Sequence, residues 1–166
     1  MIKTNTLVDI SNFHSQISKT ENMFNFFNKK STNNDSIAPF QDSFTKLQKA
    51  GIVSILIIYA NADGRINPKE EEQIQNTVGL LNYSLSDPLL NELPSKGRQN
   101  LINILKTLNA GQKQWLLISL YELAHCDGNI SQIETSYALG IAKDIGFTEG
   151  QYLELIQKTS HLRKKQ

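Results

Sequence analysis

Cysteine is almost absent from this chain of 166 residues, which contains only Cys126. A single cysteine excludes an internal disulfide and fits a protein of a reducing compartment. It also argues against a structural zinc site, which uses spaced Cys and His pairs, because the histidines stand far apart at His14, His125 and His161. We therefore expect a cytoplasmic protein without structural zinc.

Long apolar runs and strong net charge are also lacking. The most apolar run, residues 52–60, has about half the length that a membrane-spanning helix needs. Residues 1–6 carry no apolar h-region, so we expect no signal peptide. The formal net charge is only +1. We therefore expect neither nucleic-acid binding nor direct insertion into a membrane.

Catalytic motifs are missing too. The sequence contains no nucleophile elbow, no P-loop and no dinucleotide-binding fingerprint. Some of its carboxylates could act as general acid and base, but they fall at helix turns with no evident substrate pocket. We expect a protein that is not an enzyme and that has no catalytic residues.

What the chain does contain is one stretch that occurs twice. Residues 59–70, YANADGRINPKE, recur loosely as residues 123–134, LAHCDGNISQIE, 64 positions later. Each copy predicts the end of one helix, an Asp-Gly turn and the start of the next helix, because glycine adopts positive φ without steric cost. We call each copy a corner.

The helix start in each corner has the pattern of a capping box. In the first corner Asn67 is the predicted N-cap, Pro68 is at N1 and Glu70 is at N3. In the second, Ser131 is the predicted N-cap and Glu134 is at N3. One interpretation is that these glutamates only cap helices. The other is that they also belong to an acidic, cation-binding patch, since a capping carboxylate keeps a second oxygen.

The apolar spacing predicts an all-α fold, a compact bundle of about six or seven helices with two pseudo-repeated halves. The predicted helices cover residues 43–62, 68–81, 86–93, 96–108, 112–125 and 131–145, and a last helix starts at residue 148. The first is apolar over most of its circumference, so we expect it to be central, with Leu47 in its buried stripe. Gly51 and Gly140 predict close approaches by neighbouring helices.

The chain divides into an N-terminal extension, residues 1–41, and a helical domain, residues 42–166. The extension has some helical periodicity and ends in a polar linker rich in Ser, Thr and Asn. Within it, residues 23–27 (MFNFF) form what we call the aromatic segment. This segment either packs on the helical domain or docks onto a partner protein.

The two corners resemble the tellurite-resistance TerB-like family. The hallmark of that family is a helix ending in Ala-x-x-Asp-Gly, then x-Ile/Leu, then a Glu at the start of the next helix, given twice. Here it is present in residues 60–70 and 124–134. The resemblance covers roughly residues 45–160. A related domain stands at the front of membrane-anchored DnaJ-like co-chaperones, but nothing in this chain resembles a J-domain.

The resemblance implies a non-catalytic, stress-linked helical bundle that acts through protein partners, among them a component of a membrane complex, in an oligomeric state left open. It also implies that the acidic turns bind a divalent cation. Carried over position by position, the implied ligands are Asp63, Glu70, Asp127 and Glu134, with Glu71 as a weaker addition. The alternative is a purely structural protein-interaction domain whose acidic residues only cap helices.

The corners also mimic the later part of an EF-hand loop. If Gly64 is placed at loop position 6, Glu70 falls at position 12. However, position 1, which normally supplies a carboxylate, is Tyr59 in the first corner and Leu123 in the second. We therefore expect a weaker site, shared between the turns and completed by water, for Ca²⁺ or a similar divalent ion.

Overall fold

The computed structural model describes residues 43–62, 64–128 and 132–163. Within these ranges the chain forms seven α-helices and no strand, so the all-α prediction is confirmed. The helices are α1 Lys46–Ala60, α2 Pro68–Leu80, α3 Leu89–Ser95, α4 Arg98–Lys106, α5 Ala110–His125, α6 Gln132–Asp144 and α7 Glu149–Arg163. Each predicted helix is present, with bounds shifted by no more than one turn.

Helix α1 is the centre of the bundle, as predicted. It packs against α2, α3, α4, α5 and α6, and all but one of its residues from Ala50 to Ala60 are buried. Gly51 permits the approach of α4, because a Cβ at this position would lie 2.9 Å from Cγ2 of Ile104. Here the prediction of a close helix contact is confirmed.

The other helices complete the core around α1. Helix α2 packs on α1 and α5, and α7 packs on α5 and α6. Aromatic pairs join the layers: Phe44 lies against Trp115, and Tyr59 of α1 meets Tyr137 of α6 edge-on, with ring centroids 5.7 Å apart. This packing brings the C-terminal ends of α1 and α5 and the N-terminal ends of α2 and α6 to the same part of the core.

Two side-chain predictions for the helices are wrong. Leu47 is 45% exposed, because the first turn of α1 meets α4 through Gln48, whose Nε2 donates to the Thr107 carbonyl at 3.3 Å. With about 100° between successive helical residues, Leu47 then points outward. Gly140 also lacks the expected neighbour: in the described part of the chain, nothing lies within 4 Å of where its Cβ would be.

The N-terminal extension, including the aromatic segment, lies outside the described residues. Among the helices that the structure does describe, none combines the length and apolar character needed to cross a bilayer.

Candidate functional site: two joined helix corners

The first corner is built as the sequence predicts. Gly64 has φ +88°, which supports the turn after α1. Asn67 is the N-cap of α2, and its Oδ1 accepts hydrogen bonds from the backbone N–H groups of Lys69 and Glu70, both at 3.0 Å. Glu70 completes the box, since its Oε2 accepts from the backbone N–H of Asn67 at 2.7 Å. The predicted capping box is therefore confirmed for this corner.

Glu70 is buried as well as capping. Only 6% of the residue is exposed, and a carboxylate removed from water in this way needs compensating interactions. The backbone N–H of Asn67 and the positive end of the α2 dipole both supply such interactions. Glu70 therefore has a structural role at this corner, whatever else it does.

The second corner has the same turn geometry where it is described. Gly128 has φ +84°, close to the value at Gly64, and Glu134 lies half-buried in the first turn of α6. Ser131, the predicted second N-cap, lies outside the described residues, and so does Asp63 of the first corner.

A direct contact joins the two corners. Nδ2 of Asn67 donates to Oδ2 of Asp127 at 3.4 Å, across 60 positions of sequence. Asn67 therefore uses its side-chain oxygen to cap its own helix and its side-chain nitrogen to hold the turn of the other corner. The structure thus brings Asp127 to the same N-terminus of α2 that contains Glu70.

The acidic residues of both corners act on the same half-buried thiol, that of Cys126. Burial raises the pKa of the Cys126 thiol, and the negative charges of Glu70, Asp127 and Glu134 raise it further. A higher thiol pKa leaves less of the reactive thiolate near neutral pH. Cys126 is therefore placed as an unreactive thiol, and Glu70, Asp127 and Glu134 lie around it.

A buried phenol belongs to the same group. Tyr59 is 1% exposed, and within the described residues its hydroxyl has no hydrogen-bond partner. Burial raises the pKa of this phenol, and the charge of Glu134, with a smaller effect from Glu70, adds to the shift. We call Glu70, Asp127 and Glu134, with Tyr59 and Cys126, the acidic centre.

Against models of protein families, curated proteins and solved structures, this chain has no match.

The described members of the acidic centre do not by themselves form a metal site. In the ranges that the structure covers, no group of three or more His, Cys, Asp or Glu side chains is arranged to hold a metal ion. A hard divalent cation takes about six or more oxygens. A cation at this centre would therefore need Asp63 as a ligand, together with water molecules.

Two neighbouring candidates are engaged elsewhere. Glu71 accepts a hydrogen bond from Nε2 of Gln75, one turn along its own helix, at 3.4 Å. The His125 ring lies against Tyr121, and its Nδ1 is 2.7 Å from the Tyr121 carbonyl oxygen. Neither of these contacts involves a member of the acidic centre.

Sequence reasoning missed one residue of this centre and one contact beside it. Tyr59 fits the apolar stripe of α1, and only the structure shows that its hydroxyl is buried with no hydrogen-bond partner among the described residues. The second role of Asn67 depends on a contact with Asp127 that no local pattern encodes. One signal was available for Tyr59: the second corner has Leu123 at the matching position, so the hydroxyl is particular to the first.

Proposed function

We propose that this chain contains a non-catalytic TerB-like domain of the stress-response, tellurite-resistance type, built from two pseudo-repeated halves. It works in the cytoplasm through protein partners and binds a divalent cation, Ca²⁺ or a similar ion, weakly at the acidic centre completed by Asp63. The observation that carries this proposal is the hydrogen bond from Asn67 to Asp127, which places acidic residues of both corners beside one another.

Electrostatics supports a cation at this place. The negative charges of Glu70, Asp127 and Glu134 all raise the pKa of the half-buried Cys126, so the negative potential of both corners reaches one position. A divalent cation near that position would be attracted by the same potential. Its affinity would be low, because the described residues do not form a preorganised set of ligands.

The position of the centre suggests how ion binding would reach a partner. The corners connect α1 to α2 and α5 to α6, and α1 packs against α2, α3, α4, α5 and α6. An ion that bridges the two corners would favour one arrangement of these helix ends. A partner that recognises that arrangement would then bind more tightly when the ion is present, and the ion would bind more tightly with the partner.

A second candidate function is a purely structural protein-interaction domain. It is supported by the Glu70 capping box, which accounts for one of the acidic residues without any ligand. Under this alternative the carboxylates stabilise helix starts and the domain responds to no ion.

The two candidates are separated by the double variant Asp63→Asn with Asp127→Asn. Isothermal titration and thermal shift are measured with Ca²⁺, Mg²⁺ and Zn²⁺ for this variant and for the native chain. A matched control, Glu72→Gln with Glu92→Gln, removes the same amount of charge from exposed positions on α2 and α3. An ion at about ten times its Kd stabilises the native state by about 1.4 kcal/mol.

Under the cation-binding proposal, the native chain and the control are stabilised by the ion, and the double variant is not, although it keeps most of its stability. Under the structural alternative, no ion stabilises any of the chains, and the double variant is less stable than the control. Absence of heat and of a thermal shift at millimolar ion in the native chain rejects cation binding.

A further inference from the structure

An open apolar groove runs along one face of α6. It has a volume of about 560 Å³. It is lined by Arg98 at the start of α4 and by Gln132, Ile133, Ser136, Tyr137 and Gly140 of α6. The opposite face of α6, with Ala138, Ile141 and Ala142, is buried in the bundle. The groove therefore lies on the outer side of a helix whose inner side is already packed.

The groove has the features of a surface that receives another segment. Ile133 on its wall is 58% exposed. Ser136 and Gly140, one turn apart on α6, are its smallest lining residues, and in the described part of the chain no atom lies within 4 Å of a Cβ built at Gly140. A single exposed isoleucine is ordinary on a protein surface. Here the exposed isoleucine borders a groove whose lining is mostly apolar, so an inserted apolar side chain would contact more than Ile133 alone.

The charge in the groove argues for a neutral occupant. Among the described residues that line it, Arg98 alone is cationic, and its guanidinium is already paired with the Asp144 carboxylate. An anionic ligand would have to compete with that pair. An apolar segment of chain could bind without displacing Asp144 from Arg98.

The chain itself contains a segment of this kind. The aromatic segment, residues 23–27, has one methionine and three phenylalanines and no charged residue. Phe24 and Phe27 are three positions apart, which is the spacing of side chains that enter a groove together from one helical face. Aromatic side chains also bury more apolar area than other residues and dominate such contacts.

The connecting chain is long enough to place this segment in the groove. Residues 28–42 separate it from Ser43, and a chain of this length can span about 50 Å when extended. Ser43 is fixed at the start of α5, because Nε2 of Gln112 donates to its carbonyl at 3.2 Å. The longest helix of the described residues, α5, has 16 residues, or about 24 Å of length, so an extended connection of about 50 Å can reach across the bundle.

We propose that the aromatic segment of this chain docks into its own α6 groove, with phenylalanine side chains against Ile133, Ser136 and Gly140. The groove is then an intramolecular docking site, and the N-terminal extension becomes part of the folded domain when it is seated there.

A double-mutant cycle on the full chain tests the contact. Ile133→Ser and Phe27→Ser each lower the melting temperature by about 3 °C, and the double variant falls by no more than the larger single effect, because both remove the same contact. Leu153→Ser is the matched control, since Leu153 is 50% exposed on α7 outside the groove. Leu153→Ser leaves the melting temperature unchanged, and combined with Phe27→Ser it gives the same shift as Phe27→Ser alone. Zero shift for Ile133→Ser, or strict additivity with Phe27→Ser, overturns the proposal.

A disulfide test identifies which chain supplies the segment. In a Cys126→Ser background, Asn25→Cys with Ser136→Cys forms a disulfide within one molecule when the segment is docked in cis. A control pair, Asn25→Cys with Asn76→Cys, places the second thiol on an exposed position of α2 and forms none under the same mild oxidation. Disulfide-linked dimers of the first pair assign the groove to a second copy and overturn docking in cis, as does the absence of any disulfide.

Discussion

At the scale of the residue, Glu70 shows that a carboxylate can be required for two separate reasons. It accepts the hydrogen bond from the backbone N–H of Asn67 that closes the capping box, and it contributes negative charge at the half-buried Cys126. The first role needs only an acceptor oxygen, and the second needs the charge. Substitutions that remove the charge but keep the oxygen therefore distinguish them.

Glu70→Gln is expected to cost less than 1 kcal/mol, because a glutamine at N3 can also close a capping box. Glu70→Ala is expected to cost about 1–2 kcal/mol, because it leaves the Asn67 N–H without its partner in a part-buried place. Urea unfolding of the two variants measures both values. Equal losses would show that the charge, and not the cap, stabilises this corner.

Asp87 makes one contribution to the pH dependence of stability. Its Oδ2 lies 2.8 Å from Nζ of Lys46, and its Oδ1 accepts from the backbone N–H of Leu89 at 3.0 Å. These two interactions hold the pKa of the carboxyl below its usual value. A lowered pKa contributes stability above the unfolded-state value of about 3.9, and this contribution is lost as the pH falls through the folded-state pKa.

Asp87→Asn should therefore destabilise the protein at pH 7, and the difference from the native chain should shrink as the pH falls below about 4. Denaturant unfolding between pH 7 and pH 3 measures this difference. Glu92→Gln, on an exposed side chain of α3, serves as the control and should show little effect at either end. A difference for Asp87→Asn that is constant over the whole range would contradict the assignment.

At the scale of the element, the contact between α1 and α4 is set by one missing side chain. Gly51 lies in the middle of a helix, where glycine costs about 1 kcal/mol relative to alanine. The bundle tolerates this cost because any Cβ would meet Ile104. Ile104 is 8% exposed and branched at Cβ, so it has little freedom to turn away.

Gly51→Ala is expected to destabilise the protein by about 1 kcal/mol net, since overpacking of about 1–3 kcal/mol exceeds the gain in helix propensity. Ile104→Leu removes the methyl group that the new Cβ would meet. The double variant should therefore lose less stability than the sum of the two single losses, as chemical denaturation would show. A stabilised Gly51→Ala variant would mean that α4 moves aside freely.

The helices could be predicted from sequence because their signals are local. Patterns of only a few residues predict the apolar faces of α1 and α5, the Asn67 cap and the positive φ of Gly64. The orientation of Leu47 and the open space at Gly140 depend on where other helices lie. These were predicted wrongly, because a period of 3.6 residues does not say which neighbour a face meets.

At the scale of the whole molecule, the candidate site exists because two corners that are distant in sequence meet in the fold. The sequence contains both corners, and it suggests that they belong together only through their repetition. The hydrogen bond between Asn67 and Asp127 supplies the actual connection. Asp63 and Ser131 lie outside the described residues, so their parts in the site stay predictions.

Asn67→Asp tests this connection between the corners. Aspartate caps a helix about as well as asparagine, so α2 keeps its start, but the new carboxylate faces Asp127 where an amide donor stood. We expect a loss of about 1 kcal/mol that becomes smaller as salt screens the repulsion. Asn67→Ser, which caps without the added charge, is the control, and both are compared by thermal unfolding at low and high salt. Equal, salt-independent losses would show that the capping role alone matters.

The residue that follows Asn67 gives this connection chemical durability. Asparagine side chains in proteins lose ammonia with time when the backbone nitrogen of the next residue attacks the amide carbon and closes a five-membered ring. That attack requires a nitrogen that carries a hydrogen, and Pro68 has none. The proline that begins α2 therefore also protects the Asn67 side-chain amide from deamidation to a carboxylate. That change would place two negative charges next to each other where the corners meet.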